Sequence, residues 1–204
     1  MIAIVDYGMG NVGSILNMLR KIGAPACIAS SGDSLANADK IVLPGVGSFD
    51  AAMTRLAELD LIPLLDRKVL AQRTPVLGIC LGMQLLTKSS EEGTLPGLGW
   101  LNARTVRFNF QASPLLKVPH MGWNEVKPRT AEALWSNFDD APSFYFVHSY
   151  HLVCDDPEDV IGTTHHGYEF ASAVRKDNIR GTQFHPEKSH RFGLRLLQNF
   201  ARSG

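Results

Sequence analysis

The chain has 204 residues, with 20 Lys and Arg balanced against 20 Asp and Glu and 45% apolar side chains. That balance removes any global electrostatic case for a nucleic-acid or anionic-membrane partner, leaving only a local basic patch open, and no run reaches the ~18 to 20 apolar residues of a membrane span. Three cysteines, Cys27, Cys80 and Cys154, make no disulfide framework, which suits a reducing cytosol, and a chain of this length buries roughly 70% of its unfolded surface without covalent staples.

Met1-Ile2-Ala3-Ile4-Val5-Asp6 has no basic region and meets an acid after a few apolar residues, so it reads as a first strand over 2–6 rather than a signal peptide. A helix over about 12–22, strands at 25–29 and 40–43, helical periodicity across 49–72 and the apolar run Pro75 to Ile79 follow in alternation. That order predicts an open, mostly parallel α/β sheet flanked by helices. From about 103 to 184 the pattern changes to strand-like pieces at 144–147, 160–164, 170–174 and 179–184, which antiparallel additions to the sheet would explain. Phe192, Leu196, Leu197 and Phe200 then fall on one face of a closing helix. Cys27 and Cys154 lie in strand-like apolar runs, where core packing is the default. No segment reads as a linker, so we expect one domain over 1–204 and a cytoplasmic location.

Four stretches carry candidate chemistry. Gly8-Met9-Gly10-Asn11-Val12-Gly13 matches G-x-G-x-x-G between a strand and a helix, the context of a dinucleotide site. The next strand, however, ends Ile28-Ala29-Ser30-Ser31 without the acid that would bind a ribose, so a tight strand-to-helix turn is preferred. Pro44-Gly45-Val46-Gly47-Ser48 follows a strand, where loops of a parallel sheet line the active crevice. Its glycines let a backbone N–H around Gly45 and Val46 turn toward an oxyanion, with the N–H of Leu81 as a second donor; a plain flexible turn is the alternative.

Cys80 sits in Gly78-Ile79-Cys80-Leu81-Gly82, where an apolar strand turns abruptly into a helical pattern. Flanking glycines permit the sharp turn of a nucleophile elbow, and a helix N-terminus beside the sulfur favours thiolate. The alternative is a small buried hydrophobe. His185-Pro186-Glu187 supplies what a thiolate needs: in extended backbone, residues i and i+2 share a side, so one imidazole and one carboxylate reach a common site. The pairs His165 with His166 and His148 with His151 lack a recognisable ligand spacing, so no metal is expected, and no cofactor.

The combination of Gly78 to Gly82, Pro44 to Gly47 and His185-Pro186-Glu187 resembles the class I, triad-type glutamine amidotransferases across essentially the whole chain. Asp6 to Asn11, Pro119-His120-Met121-Gly122-Trp123-Asn124, and Tyr145 with His148-Ser149-Tyr150 narrow the resemblance to the glutaminase subunits of imidazole glycerol phosphate synthases. Gly13 stands where a bulkier residue is expected and His151 where an aromatic is usual; neither touches the proposed catalytic groups.

The resemblance implies that Cys80 attacks the side-chain amide of glutamine, His185 moves the proton and Glu187 orients the ring. It implies substrate contacts from Gln84, Glu92, Tyr145, His148, Ser149 and Tyr150. It also implies a heterodimer partner, a cyclase subunit of (β/α)₈ form, because ammonia released to water becomes ammonium, a poor nucleophile. His120, Met121, Trp123 and Asn124 form the candidate docking segment, with a buried core turn as the alternative, and Lys188 is a further interface candidate. A different amidotransferase partner and a nucleotide-binding regulatory module are the competing readings; Pro119 to Asn124 argues against the first.

Overall fold

The computed structural model describes residues 1–110, 116–138 and 141–203. Its first half alternates as expected: β1 (Ile2–Val5), α1 (Val12–Lys21), β2 (Ala26–Ala29), α2 (Gly32–Ala36), β3 (Lys40–Gly45), α3 (Phe49–Glu58), α4 (Ile62–Asp66), β4 (Val76–Cys80) and α5 (Leu81–Leu85). The short α2 is absent from the sequence reading, since one buried residue, Leu35, leaves no periodicity to detect. The helical stretch across 49–72 is broken at Asp60, whose φ of 51° is outside a right-handed helix. It resumes at Pro63 in the first turn of α4 and ends in one π turn over Arg67–Ala71.

The second half adds β5 (Ser89–Ser90), β6 (Ala103–Arg107), β7 (His120–Glu125), β8 (Lys127–Pro128), β9 (Ser143–His148), β10 (Tyr150–Cys154), β11 (Val160–His166), β12 (Tyr168–Lys176), β13 (Ile179–Thr182) and α6 (His190–Arg202). The main sheet runs β2-β1-β3-β4-β13-β12-β10-β6-β5, with β11 and β8 branching from β12. β2, β1, β3, β4 and β13 are mutually parallel; β12, β10 and β6 continue antiparallel.

One expectation is corrected. The strand around 144–147 does not extend the sheet; β9 pairs with β7 in a separate antiparallel ribbon. Phe144, Phe146 and His148 of β9 are buried, and Phe144 stacks on Phe184 with ring centroids 3.9 Å apart, so the ribbon lies over the sheet instead of at its edge.

Alternation along the parallel strands divides the core into two layers. Ala3, Val5, Ile41 and Leu43 join α3 residues such as Phe49, Ala52 and Leu56 on one face. Ile2, Ile4, Val42, Leu77 and Ile79 join Ile15 and Leu19 of α1 and Leu196, Leu197 and Phe200 of α6 on the other. Being covered on both faces, β1 and β4 are buried throughout, which is why they read as unbroken apolar runs.

The glycines around β4 let α5 descend onto the sheet. A Cβ at Gly82 would lie 1.8 Å from the Leu43 carbonyl oxygen, and one at Gly78 would lie 2.8 Å from Met83 backbone atoms. Gly13, by contrast, sits in α1 with nothing within 4 Å of its missing Cβ and no left-handed φ. Gly82→Ala is therefore expected to cost more than about 3 kcal/mol or prevent folding, while Gly13→Ala is expected to gain up to about 1 kcal/mol from helix propensity. Denaturant titration of the two variants checks both signs.

Candidate active site

Cys80 closes β4 with φ 55° and ψ −111°, a conformation that L residues adopt only when their surroundings impose it. The surroundings are β3 and β13, paired to β4 on either side, with Gly45 in register with Cys80. Gly45 is fixed tightly itself, since a Cβ there would meet Tyr7 Oη at 2.7 Å and Gly82 N at 2.9 Å. The thiol is 7% exposed at the floor of a cleft of about 320 Å³. α5 has only five residues, so it acts on the sulfur mainly through its first unpaired N–H groups rather than a long dipole.

Beyond β13, the turn Pro186–Lys188 brings the second and third groups in. His185 Nδ1 lies 2.7 Å from Glu187 Oε1, and both side chains are 2% exposed. With Nδ1 occupied, Nε2 is the ring nitrogen left without a hydrogen-bond partner. Cys80 nonetheless stands close enough to act on the ring. Burial disfavours the imidazolium, but the interactions with Cys80 and Glu187 outweigh it and raise the His185 pKa to about 10.

The cleft gathers most of the expected residues. Val46, Leu81, Gln84, Glu92, His148, Ser149, Tyr150 and Lys188 line it with Cys80 and His185. Val46 is 44% exposed beside Gly47, which has φ +103°. Gln84 is fixed by donating from Nε2 to the Tyr150 carbonyl at 3.2 Å and to Gln183 Oε1 at 3.1 Å. Glu92 Oε2 accepts from the Phe49 N–H at 2.9 Å, and partial burial raises its pKa.

Three expected placements differ. Tyr145 is not among the lining residues; its carbonyl accepts from the His185 N–H at 2.9 Å, and its ring lies 6.4 Å from Trp123 with Lys188 Nζ 5.6 Å above it. It braces the histidine from behind the cleft. His120 is 4% exposed and offers no surface to a partner, and Asn124 donates to His120 Nε2 at 3.1 Å from the same side of β7. Alternation along the strand leaves Met121 and Trp123 facing out, 62% and 49% exposed.

Several supporting groups escaped the sequence reading. Tyr7 Oη donates to the Pro44 carbonyl at 2.8 Å beneath the Gly45 loop, and burial, with Cys80 second, pushes its pKa up. Gln183 Nε2 approaches Cys80 Sγ at 3.8 Å. Ser189 Oγ donates to the His185 carbonyl at 2.6 Å and accepts from the Tyr145 N–H at 3.0 Å. A polar residue at a fixed offset from the histidine was the only sequence trace of Ser189; nothing marked Gln183.

An imidazole with a native pKa of about 10, against 6.5 ordinarily, stabilises the fold fully below 6.5 and loses that contribution as pH rises through about 10. Glu187→Gln removes one of its two supports. The ring's titration, followed by NMR, is expected to move down toward 6.5 in that variant, with thermal stability falling near pH 8. An unmoved titration would remove Glu187 from the account.

The profile of the family described as Glutamine amidotransferase class-I matches residues 3–203. Imidazole glycerol phosphate synthase subunit HisH 2 of Methanococcus maripaludis is 56% identical over 200 residues, covering 98% of this chain and 98% of its own. The protein of the same name from Pseudomonas aeruginosa is 47% identical, again with 98% of each chain covered. Among solved structures, one described as a glutamine amidotransferase superposes with a TM-score of 0.75 at 17% identity, over 98% of this chain and 97% of its own. The structure of PurLQS from Thermotoga maritima gives a TM-score of 0.72 at 17% identity, over 98% and 96%. At such identities these two likenesses speak for the fold. The chain belongs to the class I glutamine amidotransferase family, among the HisH subunits of imidazole glycerol phosphate synthase.

Proposed function

We propose that this protein is the glutaminase subunit of an imidazole glycerol phosphate synthase in histidine biosynthesis, acting as one domain through the triad Cys80, His185 and Glu187. The observation that carries this reading is the strained Cys80 at the strand-to-helix turn, with the buried His185–Glu187 pair across the cleft from it.

In the proposed mechanism, Cys80 Sγ attacks the side-chain amide carbon of glutamine as thiolate. Negative charge develops on the carbonyl oxygen, where the Leu81 N–H and an N–H from the Gly45–Val46 loop would receive it. The carbon–nitrogen bond breaks as protonated His185 gives its Nε2 proton to departing ammonia. Water then enters, His185 takes its proton, and hydroxide attacks the thioester carbon. The carbon–sulfur bond breaks to release glutamate and restore the thiolate. Glu187 stays ionised throughout and keeps Nδ1 protonated, so that Nε2 is the reacting nitrogen. Each step uses only protein groups and water, with no metal or organic cofactor.

Glu92 suits the substrate's α-ammonium group, and the His148–Tyr150 segment suits its carboxylate. The ammonia passes to a (β/α)₈ cyclase subunit, which carries the lyase half of the overall reaction. Met121 and Trp123, the exposed apolar residues of β7, are the proposed docking anchors, with Lys188 and Tyr145 linking them to the cleft. Among the described residues no helix is long and apolar enough to cross a membrane, which is compatible with the cytoplasmic location of such a complex.

Cys80→Ala is expected to abolish glutamine-dependent synthesis by the complex while leaving synthesis from added ammonia intact. An electrophilic glutamine analogue should label Cys80 in peptide mapping, and loss of both activities, or label elsewhere, would contradict the assignment. Because the Gly45–Val46 loop is open at Val46 and followed by a glycine, the isolated chain is expected to hydrolyse glutamine slowly. Adding the liganded cyclase should accelerate it by about 10²-fold or more, the worth of one oxyanion donor. Full activity in the isolated chain would refute that gating.

A further inference from the structure

Beneath β7, outside the triad, lies a set of imidazoles whose rings take part in none of the bond-making steps derived above. His120 Nδ1 is 2.9 Å from His148 Nε2. His148 Nδ1 is in turn 2.7 Å from the Tyr150 carbonyl, which also accepts from Gln84. At the other end, Asn124 Nδ2 lies 3.1 Å from His120 Nε2 and donates to the His165 carbonyl at 2.9 Å. Burial pushes the His120 pKa down to about 4 and that of His148 well below the usual imidazole range, so both rings are neutral near pH 7 and each carries one N–H.

Only one arrangement of protons satisfies every contact. A carbonyl accepts and cannot donate, so the His148 proton is on Nδ1 and its Nε2 is bare. His120 must then donate from Nδ1, which leaves its own Nε2 bare to accept from Asn124. The Asn124 amide spends its two hydrogens on His120 and on the His165 carbonyl, while its oxygen accepts from the Glu125 N–H at 2.8 Å. The chain of donors thus runs in one direction, from the ribbon strand β7 to the backbone of the cleft wall. The neighbouring rings stand outside it: His166 stacks on His120 at 4.2 Å and contacts the Lys117 carbonyl, and His151 contacts Tyr168 and Leu152.

We propose that His120 is a positioning residue which, through this one-directional chain, fixes the orientation of the His148 ring and with it the Tyr150 carbonyl at the cleft. One strand then does two things: its outward residues Met121 and Trp123 face a partner, and its inward residues His120 and Asn124 hold the segment against which the substrate lies. The inference rests on the glutaminase reading for its kinetic consequence, though not for the tautomers.

The test uses ¹⁵N-histidine NMR of the full chain and kinetics of its complex with the cyclase. In the wild type, His148 is expected as the Nδ1–H tautomer; finding Nε2–H overturns the proposal. His120→Asn keeps a donor near the Nδ1 position, His120→Gln moves it to the far end of the side chain, and His120→Phe removes it. The Gln and Phe variants are expected to leave His148 as the Nδ1–H tautomer on the Tyr150 carbonyl, to shift its Nε2 resonance as the donor is lost, and to raise KM for glutamine about tenfold, the effect of one hydrogen bond, with kcat changed much less. His120→Asn is expected to restore the wild-type Nε2 resonance and most of KM. If the Asn and Gln variants, similar in burial and polarity, behave alike, the directional chain is refuted even should His120→Phe fail to fold. Failure of the glutaminase reading looks different: the wild type would then show the tautomer but no labelling of Cys80 by a glutamine analogue.

Discussion

A Cβ at Gly82 would sit 1.8 Å from the Leu43 carbonyl oxygen, and the whole catalytic arrangement depends on that space staying empty. Because α5 can descend onto β3 there, β4 can end in a residue of positive φ, and the residue placed in that conformation is Cys80. The strain of such a residue, of order 1–3 kcal/mol, must be supplied by its neighbours. The buried parallel strands on either side of β4 provide it, through ladders that fix Gly45, Cys80 and Thr182 relative to one another. The proposed triad is thereby held by the sheet's own register, with His185 following shortly after the strand that flanks Cys80.

Around that geometry the electrostatics follow from dryness. His185 and Glu187 are nearly inaccessible, and Tyr7 below the Gly45 loop is fully buried. In such a setting an isolated imidazolium would be disfavoured, yet His185 is raised to about 10 because a sulfur stands on one side and a carboxylate on the other. The same burial acts with opposite outcome on His120 and His148, which have only neutral partners and are pushed down. One low-dielectric interior thus keeps a charged imidazole at the chemistry and neutral imidazoles in the wall, the difference being set by which partner each ring finds.

The parallel half of the fold was legible because strands buried on both faces are apolar throughout, and Val76 to Ile79 and Ile2 to Val5 are too short for helices and bounded by Pro75 and Asp6. The elbow was legible because glycine is required at 78 and 82 by contacts that a Cβ would close. The β7–β9 ribbon was not: Phe144 and Phe146 alternate correctly for a strand, but alternation says nothing about which strand is the partner. The same limit misplaced His120. As part of a motif it looked like one member of a surface patch, whereas in a strand neighbouring residues face opposite ways, so half the motif lies inward. Gln183 had no signal, and Ser189 none beyond its offset from the histidine, since single hydrogen-bonding residues in buried turns have no period.

The two faces of β7 bear on how docking and chemistry are joined. Lys188 lines the cleft and lies over Tyr145, whose ring meets Trp123, itself stacked on His190 at 5.3 Å. The exposed apolar face therefore adjoins the cleft through direct contacts, so a chain covering Trp123 would stand beside the proposed active site. Covering Met121 and Trp123 removes apolar surface from water and immobilises the strand that bears them. An immobilised β7 narrows the positions open to His120 and Asn124, and through hydrogen bonds of fixed direction those of His148 and the Tyr150 carbonyl. Coupling of this kind requires no large movement.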